Sequence, residues 1–402
     1  MGTAGAEANP KIGAIVMVGA EAVKPDPAVW LPLLAEYRLT SLPQDAVLEG
    51  TLRPDLTAAS PEVQAALSEW PTAAHLQSED GQTRVVLVYR IRDEPRRWPW
   101  VQTALLLATL LTTLGAGALM AGLDPFGTRV WALGEVPIPY PSTIDWPVLM
   151  VGATFALPFL GVLLAHEMGH YVAAHAHRVR ATLPYFVPFP PYFSIIGTLG
   201  AFIRLRSPTV RRSALFDIGS AGPLASFALS LPILGVGLGL SEAVPGRATL
   251  ASPFLIHFAG ESVRLGNGVV THLFASLLGP GAVGDAPILL HPLALVGWLG
   301  MFVTALNLLP LGQLDGGHVL YAVSPRRAAL GARLFLAALL PLGLVWWGWW
   351  AWALIVVAIH RGRIQHARVL QPGPGLGPRR RILGWLVIAV FFLTFVPVPV
   401  HL

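Results

Sequence analysis

Beyond residue 98 the chain runs as long apolar stretches separated by short polar breaks, whereas its first 97 residues mix apolar and charged positions at close range. A helix needs about 20 apolar residues to cross the hydrocarbon core of a bilayer. Stretches of that order lie near 101–122, 147–177, 214–240 and 292–310. Two shorter ones follow at 328–345 and 346–360, and a last one at 382–396. The stretch at 147–177 is too long for one crossing and predicts a helix that continues out of the bilayer. Pro341 and Gly343 predict a break that turns 328–360 into a hairpin of two helices instead of one tilted span. Leu183-Pro-Tyr-Phe-Val-Pro-Phe-Pro-Pro-Tyr-Phe193 is apolar, yet its four prolines forbid a regular spanning helix. With the glycine-rich stretch to Arg204 it predicts a re-entrant β-hairpin over about 183–206, tolerated where protein or water satisfies its backbone. Segment 255–278 is moderately apolar and predicts an amphipathic piece lying along the membrane surface.

The first 97 residues read as a small soluble α+β domain. Ala46-Val-Leu-Glu-Gly-Thr-Leu-Arg53 alternates like a strand, and Thr83-Arg-Val-Val-Leu-Val-Tyr-Arg90 reads as another after an Asp80-Gly81 turn. Ser60, Pro61 and Glu62 form a helix start, with serine at the N-cap and proline at the first helical position. Residues 1–20 lack a basic start and a clean apolar run, and are read as neither signal peptide nor span.

Composition confirms the membrane class. Apolar residues make up 54% of the chain and charged ones only 12%, against about 25% charged in a typical soluble domain. There is no cysteine, which removes thiolate catalysis, cysteine zinc sites and disulfides. The net charge of +5 comes from 27 basic and 22 acidic residues. In a membrane chain that excess marks cytoplasmic loops and not nucleic-acid binding. With an inner N-terminus and seven crossings, 24 of the 27 basic residues face the cytoplasm, leaving Arg129, Arg247 and Arg264 outside. Making 334–359 one crossing would move six more arginines outward, so the positive-inside rule prefers the hairpin.

Among the acids, Glu167, Asp217 and Asp315 sit in the apolar stretches or in the motifs that end them. A charge at the bilayer centre costs at least about 2.5–3.5 kcal/mol, so each asks for a function. His166-Glu167-Met168-Gly169-His170 places two imidazoles one helical turn apart, able to hold one Zn²⁺. Glu167 then projects beside the metal without binding it, where it can take a proton from water. With 12 His and 12 Glu in 402 residues, chance would produce this pattern roughly 0.01 times. A catalytic zinc usually takes three protein ligands. Asn307-Leu-Leu-Pro-Leu-Gly-Gln-Leu-Asp-Gly-Gly-His318 offers Asp315 as the third, with Pro310 ending the preceding helix and Gly316-Gly317 permitting close packing. The charge-derived topology ends both segments, about 147–177 and 292–318, at the cytoplasmic side, so they can meet.

These motifs resemble the site-2 protease family of intramembrane zinc metalloproteases, whose pattern is HExxH in one span and NxxPxxxLDG in a later one. Both stand intact, at His166–His170 and Asn307–Gly316. The resemblance implies one zinc per chain on His166, His170 and Asp315, Glu167 as general base, and Asn307 facing the scissile carbonyl. Gly197-Thr-Leu-Gly-Ala-Phe202, Ser220-Ala-Gly-Pro-Leu-Ala225 and His291-Pro292 are similar to the branch containing plant chloroplast members and their bacterial relatives. No PDZ-like insert stands in 241–291, unlike several bacterial members. The apolar and polar pattern thus predicts an α-helical polytopic membrane protein of about seven spans with one re-entrant β-hairpin in residues 98–402, after the N-terminal α+β domain of 1–97. The resemblance also implies transmembrane-protein substrates within the lipid bilayer.

Proteases hold substrate extended, and an edge strand can do so by β-augmentation. Gly197, Thr198 and Gly200 are therefore expected to pair with an unwound substrate helix. Asp217, near Arg211 and Arg212, is expected to form an interfacial ion pair or to help supply water. Trp346-Trp347-Gly-Trp349-Trp350-Ala-Trp352 reads as an interfacial aromatic belt. The expected location is a bacterial cytoplasmic membrane, with the N-terminus and the site towards the cytoplasm. Two rival classes predict other features: a transporter predicts symmetric halves with acids lining several spans, and an inactive scaffold predicts lost ligands.

Overall fold

The computed structural model describes residues 26–401 apart from 42–44, 71–73, 80, 91–98, 134–135, 207–210, 282–285 and 360–374. The expectation for residues 1–20 lies outside the described residues. The chain divides into two compact units, Met1–Pro95 and Arg96–Leu402.

In the first unit β1 (Leu34–Ser41), β2 (Asp45–Leu52), β3 (Ala74–Glu79) and β4 (Gln82–Arg90) form one antiparallel sheet in the order β1-β2-β4-β3. Helix α1 (Pro61–Glu69) lies between β2 and β3 in the chain. Its N-cap is Ser60 and its first residue Pro61, although the Ser60 hydroxyl accepts from the Thr57 N–H instead of capping the helix. Alternate positions of β2 and β4 meet Val63 and Ala66 of α1 around Trp30 and Trp70. That period-2 face against a helical face is what makes the unit fold as a sheet with one layer of helix. Gly81, at φ +77°, makes the turn between β3 and β4.

The second unit is helical. It begins with α2 (Trp100–Met120), the hairpin of β5 (Arg129–Leu133) and β6 (Val136–Tyr140), then α3 (Trp146–Val151) and α4 (Ala153–Ala176). The expected helix over 147–177 is thus two helices. Asp145 caps α3 by accepting from the Val148 N–H, and the chain breaks at Gly152, where a Cβ would strike the Leu114 carbonyl of α2. Next come the hairpin of β7 (Tyr185–Pro188) and β8 (Thr198–Phe202), and α5 (Arg212–Gly239).

A mixed five-stranded sheet follows, built from β9 (Glu242–Ala243), β10 (Phe254–Phe258), β11 (Glu261–Leu265), β12 (Ile288–Leu289) and β13 (Val400–His401), with α6 (Val269–Leu278) inserted after β11. Residues 255–265 are therefore strands and not part of an amphipathic surface piece: Phe254 and Ile256 are buried at alternate positions while His257 is exposed. The remaining helices are α7 (Pro292–Asn307), α8 (Asp315–Val323), α9 (Pro325–Val345), α10 (Gly348–Ile359) and α11 (Pro378–Thr394).

Among the described residues α2, α5 and α9 are long and apolar enough to cross a membrane, and α7 and α10 are shorter apolar helices. Helices α9 and α10 pack on each other. Trp350 Nε1 reaches back to the Leu340 carbonyl, so 328–360 is not one continuous helix. The tryptophans divide between two tasks. Trp347 is exposed, whereas Trp349 is buried against Phe395 and donates to the Pro397 carbonyl, so the run is partly core and not only a belt. At the centre α5 lies between α4 and α7. Phe155, Phe159 and Val162 of α4, Leu234 and Leu238 of α5, and Leu295 and Trp298 of α7 share one buried cluster.

Candidate metal centre

Helix α4 carries its buried residues at 155, 156, 159, 160, 162, 163, 166, 167, 170 and 174, and from 159 to 174 the steps of three and four through 162, 163, 166, 167 and 170 follow one face of the helix. His166, Glu167 and His170 are each under 10% exposed and lie on that face, turned towards α5 and α7. Helix α7 ends at Asn307, and a turn through Pro310 and Gly312 leads to Asp315, the first residue of α8. Gly316 fits against the Leu308 carbonyl, where a Cβ would overlap it. The helix N-terminus beneath Asp315 favours its negative charge.

The three expected ligands meet. His166 Nε2 and His170 Nε2 are 3.1 Å apart, and each lies 3.3 Å from Asp315 Oδ2. Bonds of about 2.0–2.2 Å in a tetrahedral zinc site set neighbouring ligand atoms about 3.3 Å apart. The triangle therefore has the edge length that a zinc ion requires, and this donor set is the one group of three metal-ligating side chains among the described residues. The imidazoles also present the correct nitrogen. His170 Nδ1 lies 2.7 Å from the Ile218 carbonyl oxygen. That oxygen can only accept, so the proton sits on Nδ1 and the Nε2 lone pair faces the triangle.

The close approach of α5 rests on two glycines. A Cβ at Gly169 would lie 2.6 Å from the Ala221 carbonyl oxygen, and one at Gly222 would overlap the His170 ring at Nε2. Gly222 lay within a motif noted in the sequence, but its task beside His170 and that of the Ile218 carbonyl did not stand out. The Ser-Ala-Gly-Pro motif was the available signal, but a backbone acceptor carries no mark in residue identity.

The other expected site residues fall around this centre. The backbone N–H of Ile203, next after β8, faces the Glu167 carboxylate, tying the acid to the hairpin. Asn307 Nδ2 is 3.2 Å from His166 Nε2. Gly197, at φ +71°, packs against the Thr112 carbonyl of α2, and Gly200 at φ +105° has open space where a Cβ would project. Thr198 is buried, and its hydroxyl donates to the Val187 carbonyl across the hairpin. Leu199 and Phe202 are exposed, and β8 pairs with β7 alone among the described strands.

Asp217 does form an ion pair, but not with its sequence neighbours. Arg380 of α11 donates from Nε to Oδ1 at 2.8 Å and from Nη2 to Oδ2 at 2.6 Å, and His177 Nε2 lies 2.7 Å from Oδ2. Arg212 is five positions away on the helix, on another face, and donates to the Ala322 carbonyl.

Residues 154–342 match the family described as Peptidase family M50. The chain is 34% identical over 259 residues to a protein of Oryza sativa subsp. japonica named probable zinc metalloprotease EGY1, chloroplastic, covering 61% of this chain and 42% of that one. It is 30% identical over 311 residues to the Arabidopsis thaliana protein of the same name, covering 74% and 54%. To the Arabidopsis thaliana protein named probable zinc metalloprotease EGY2, chloroplastic, it is 31% identical over 197 residues, covering 49% and 33%. The alignments span about half the length of these relatives or less. No solved structure matches the chain.

Proposed function

We propose that this chain, whose residues 154–342 match Peptidase family M50, is a zinc metalloprotease of the site-2 protease family, cutting peptide bonds within or near transmembrane helices of other proteins. The observation that carries this reading is the triangle of His166 Nε2, His170 Nε2 and Asp315 Oδ2 beside a buried glutamate. These three side chains would hold one Zn²⁺. When bound, the ion supplies Lewis acidity towards a peptide carbonyl and towards water.

The chain's own residues do the rest. Glu167, buried and one residue from a ligand, takes the proton of the attacking water on its carboxylate and passes it to the departing amide nitrogen. Asn307 Nδ2 donates to the carbonyl oxygen as charge develops there. A spanning helix hides its backbone groups, so the scissile segment must be extended before it reacts. The backbone edge of β8 at Thr198 and Gly200, with Gly197 just before it, is suited to receive that segment as an added strand. Because Ile203 follows directly and faces Glu167, a segment paired there runs past the general base.

Residues 98–402 form the membrane-embedded protease in this reading, with about seven spans and a re-entrant hairpin, and 1–97 a soluble domain that recruits substrate or gates access. The names of the relatives place them in the chloroplast. For this chain the proposed location is a bacterial cytoplasmic membrane, and its arginine distribution orients the site and the N-terminus towards the cytoplasm.

The test is zinc per folded chain in detergent-purified protein, alongside photocrosslinking from the exposed Leu199. About one zinc is expected, with capture of membrane proteins. Folded protein without stoichiometric metal would sink the hydrolase reading. Zinc without capture at Leu199 would leave the protease and remove the β8 docking.

A further inference from the structure

His170 is held by a carbonyl that can only accept, but the Nδ1 of His166 faces a side chain. Ser226 Oγ of α5 lies 3.1 Å from it. Ser226 is itself buried, and its Oγ has three acceptors in reach: the carbonyls of Gly222 at 3.2 Å and Pro223 at 3.1 Å, and Thr304 Oγ1 of α7 at 3.0 Å. Thr304 is completely buried and donates to the Gly300 carbonyl at 2.7 Å.

The proton directions follow from this arrangement. Thr304 spends its proton on Gly300, which leaves its oxygen as an acceptor. Ser226 spends its proton on Thr304 or on a carbonyl of its own helix. The lone pairs of Ser226 are then left for a donor, and among the described residues the donor in range is the N–H at His166 Nδ1. With Nδ1 protonated, the lone pair of His166 sits on Nε2, inside the triangle with His170 and Asp315.

We infer that Ser226, backed by Thr304, is the positioning residue for His166. It fixes the tautomer and ring plane of that histidine and links α4, which carries the histidine ligands, to α7, which ends in Asn307. The inference rests on the zinc reading above. Helix α5 then serves both imidazoles from one face, through the Ile218 carbonyl for His170 and the Ser226 hydroxyl for His166, with Gly222 between them leaving clearance for the ring. Positions 218, 222 and 226 are spaced by four, so a single stripe of α5 carries the whole arrangement. A serine that merely back-bonds to its own helix carbonyls would show the same contacts to Gly222 and Pro223 but would leave the metal indifferent to its removal.

The experiment measures Zn²⁺ affinity of the full chain in detergent by chelator competition, with the visible spectrum of the Co²⁺-substituted protein as a second readout. Loss of a partner to a metal-binding histidine weakens binding about 10- to 100-fold, and this loss is expected for Ser226→Ala with an altered Co²⁺ spectrum. Ser226→Thr, which keeps the hydroxyl, is expected within about threefold of wild type by the same reasoning. Thr304→Val removes only the supporting hydroxyl at nearly constant shape and is expected to weaken binding by less than Ser226→Ala. It carries the test should Ser226→Ala fail to fold. Wild-type affinity and an unchanged Co²⁺ spectrum in both Ser226→Ala and Thr304→Val would overturn the inference while leaving the zinc site standing. A folded wild type without stoichiometric zinc would overturn both.

Discussion

Helix α4 presents His166 and His170 through nothing more than helical spacing, whereas Asp315 reaches the same point on a break between α7 and α8 that depends on Gly316 fitting against the Leu308 carbonyl. The first device is redundant: a helix of 24 residues holds the two imidazoles, and α5 adds a hydrogen bond to each. The second is a tight turn in which one added methyl meets backbone. A regular element supplies the parts of the site that must keep a fixed separation. An irregular one supplies the part that must come in from the side, where no helix spacing could place it. The two segments should therefore tolerate change very differently.

The largest expected effects separate ligand from base. Asp315→Ala leaves two imidazoles and no third donor, so zinc per chain should fall to near zero with activity lost entirely. Glu167→Gln keeps all three ligands. It should retain zinc at about the wild-type level while activity drops by about 10²- to 10⁴-fold, the usual contribution of a general base. Metal analysis beside a cleavage assay checks both. Loss of zinc in Glu167→Gln would mean that the acid is a ligand and that the geometric triangle misassigns it.

Next is the turn itself. In Gly316→Ala the new methyl would overlap the Leu308 carbonyl, so the turn must open or α8 must shift. Overpacking of this kind costs about 1–3 kcal/mol. It should appear as a lowered Tm together with weaker zinc binding, because Asp315 is the adjacent residue. A variant with wild-type Tm and zinc affinity would show the turn to be as forgiving as a helix and erase the contrast.

How much of this was legible in the sequence follows the same division. The spacing of His166 and His170 needs only helix geometry, and the apolar stretches gave the positions of α2, α5, α7 and α9 to within a few residues, because a buried or lipid-facing helix announces itself by length. The break at Gly152 was not legible: a glycine between apolar residues looks like an ordinary helix position until α2 is known to press on it. The strands at 254–265 were hidden because Phe254, Leu255 and Ile256 are all apolar, so the alternation of buried and exposed positions does not show. Strand β1 was hidden for the opposite reason, with Tyr37 and Leu39 exposed on the sheet. In the site, Asn307, Glu167 and Asp315 stood in a recognisable motif. Ser226 did not, since a serine in an apolar helix reads as small-residue packing, and its partner lies 60 positions earlier in the chain. Asp217 was visible as a charge, but its partner Arg380 is 163 residues away.

A smaller effect probes how far α4 is supported at its end. Asp217 binds both His177, just past α4, and Arg380. Arg380→Ala removes two hydrogen bonds but leaves the His177 contact, and the arginine side chain is 39% exposed. Solvent screening limits the cost to about 1 kcal/mol. Tm should fall slightly while zinc affinity stays within about threefold of wild type, since the Ile218 carbonyl beside Asp217 is fixed by the helix and not by the ion pair. A large loss of zinc would show that the charge cluster, and not the regular helix, positions His170.

The smallest effect is expected within α4 itself, and it is the sharpest contrast with Gly316. Gly161 sits in the interior of the helix, five residues before His166, and a Cβ built there meets no atom within 4 Å. It has no left-handed φ to protect. Alanine would lose less backbone entropy on folding than glycine does, so Gly161→Ala should leave zinc affinity unchanged and raise stability by about 0.4–1 kcal/mol. The measurement pairs Tm in detergent with chelator competition, run beside Gly316→Ala under the same conditions. Two glycine-to-alanine changes of identical chemistry would then move stability in opposite directions, one filling open space on a regular helix and the other striking the carbonyl that shapes the aspartate's turn. If Gly161→Ala instead weakened zinc binding, α4 would not be the self-sufficient scaffold that its spacing implies, and the open side of the helix at Gly161 would have to be counted as part of the site.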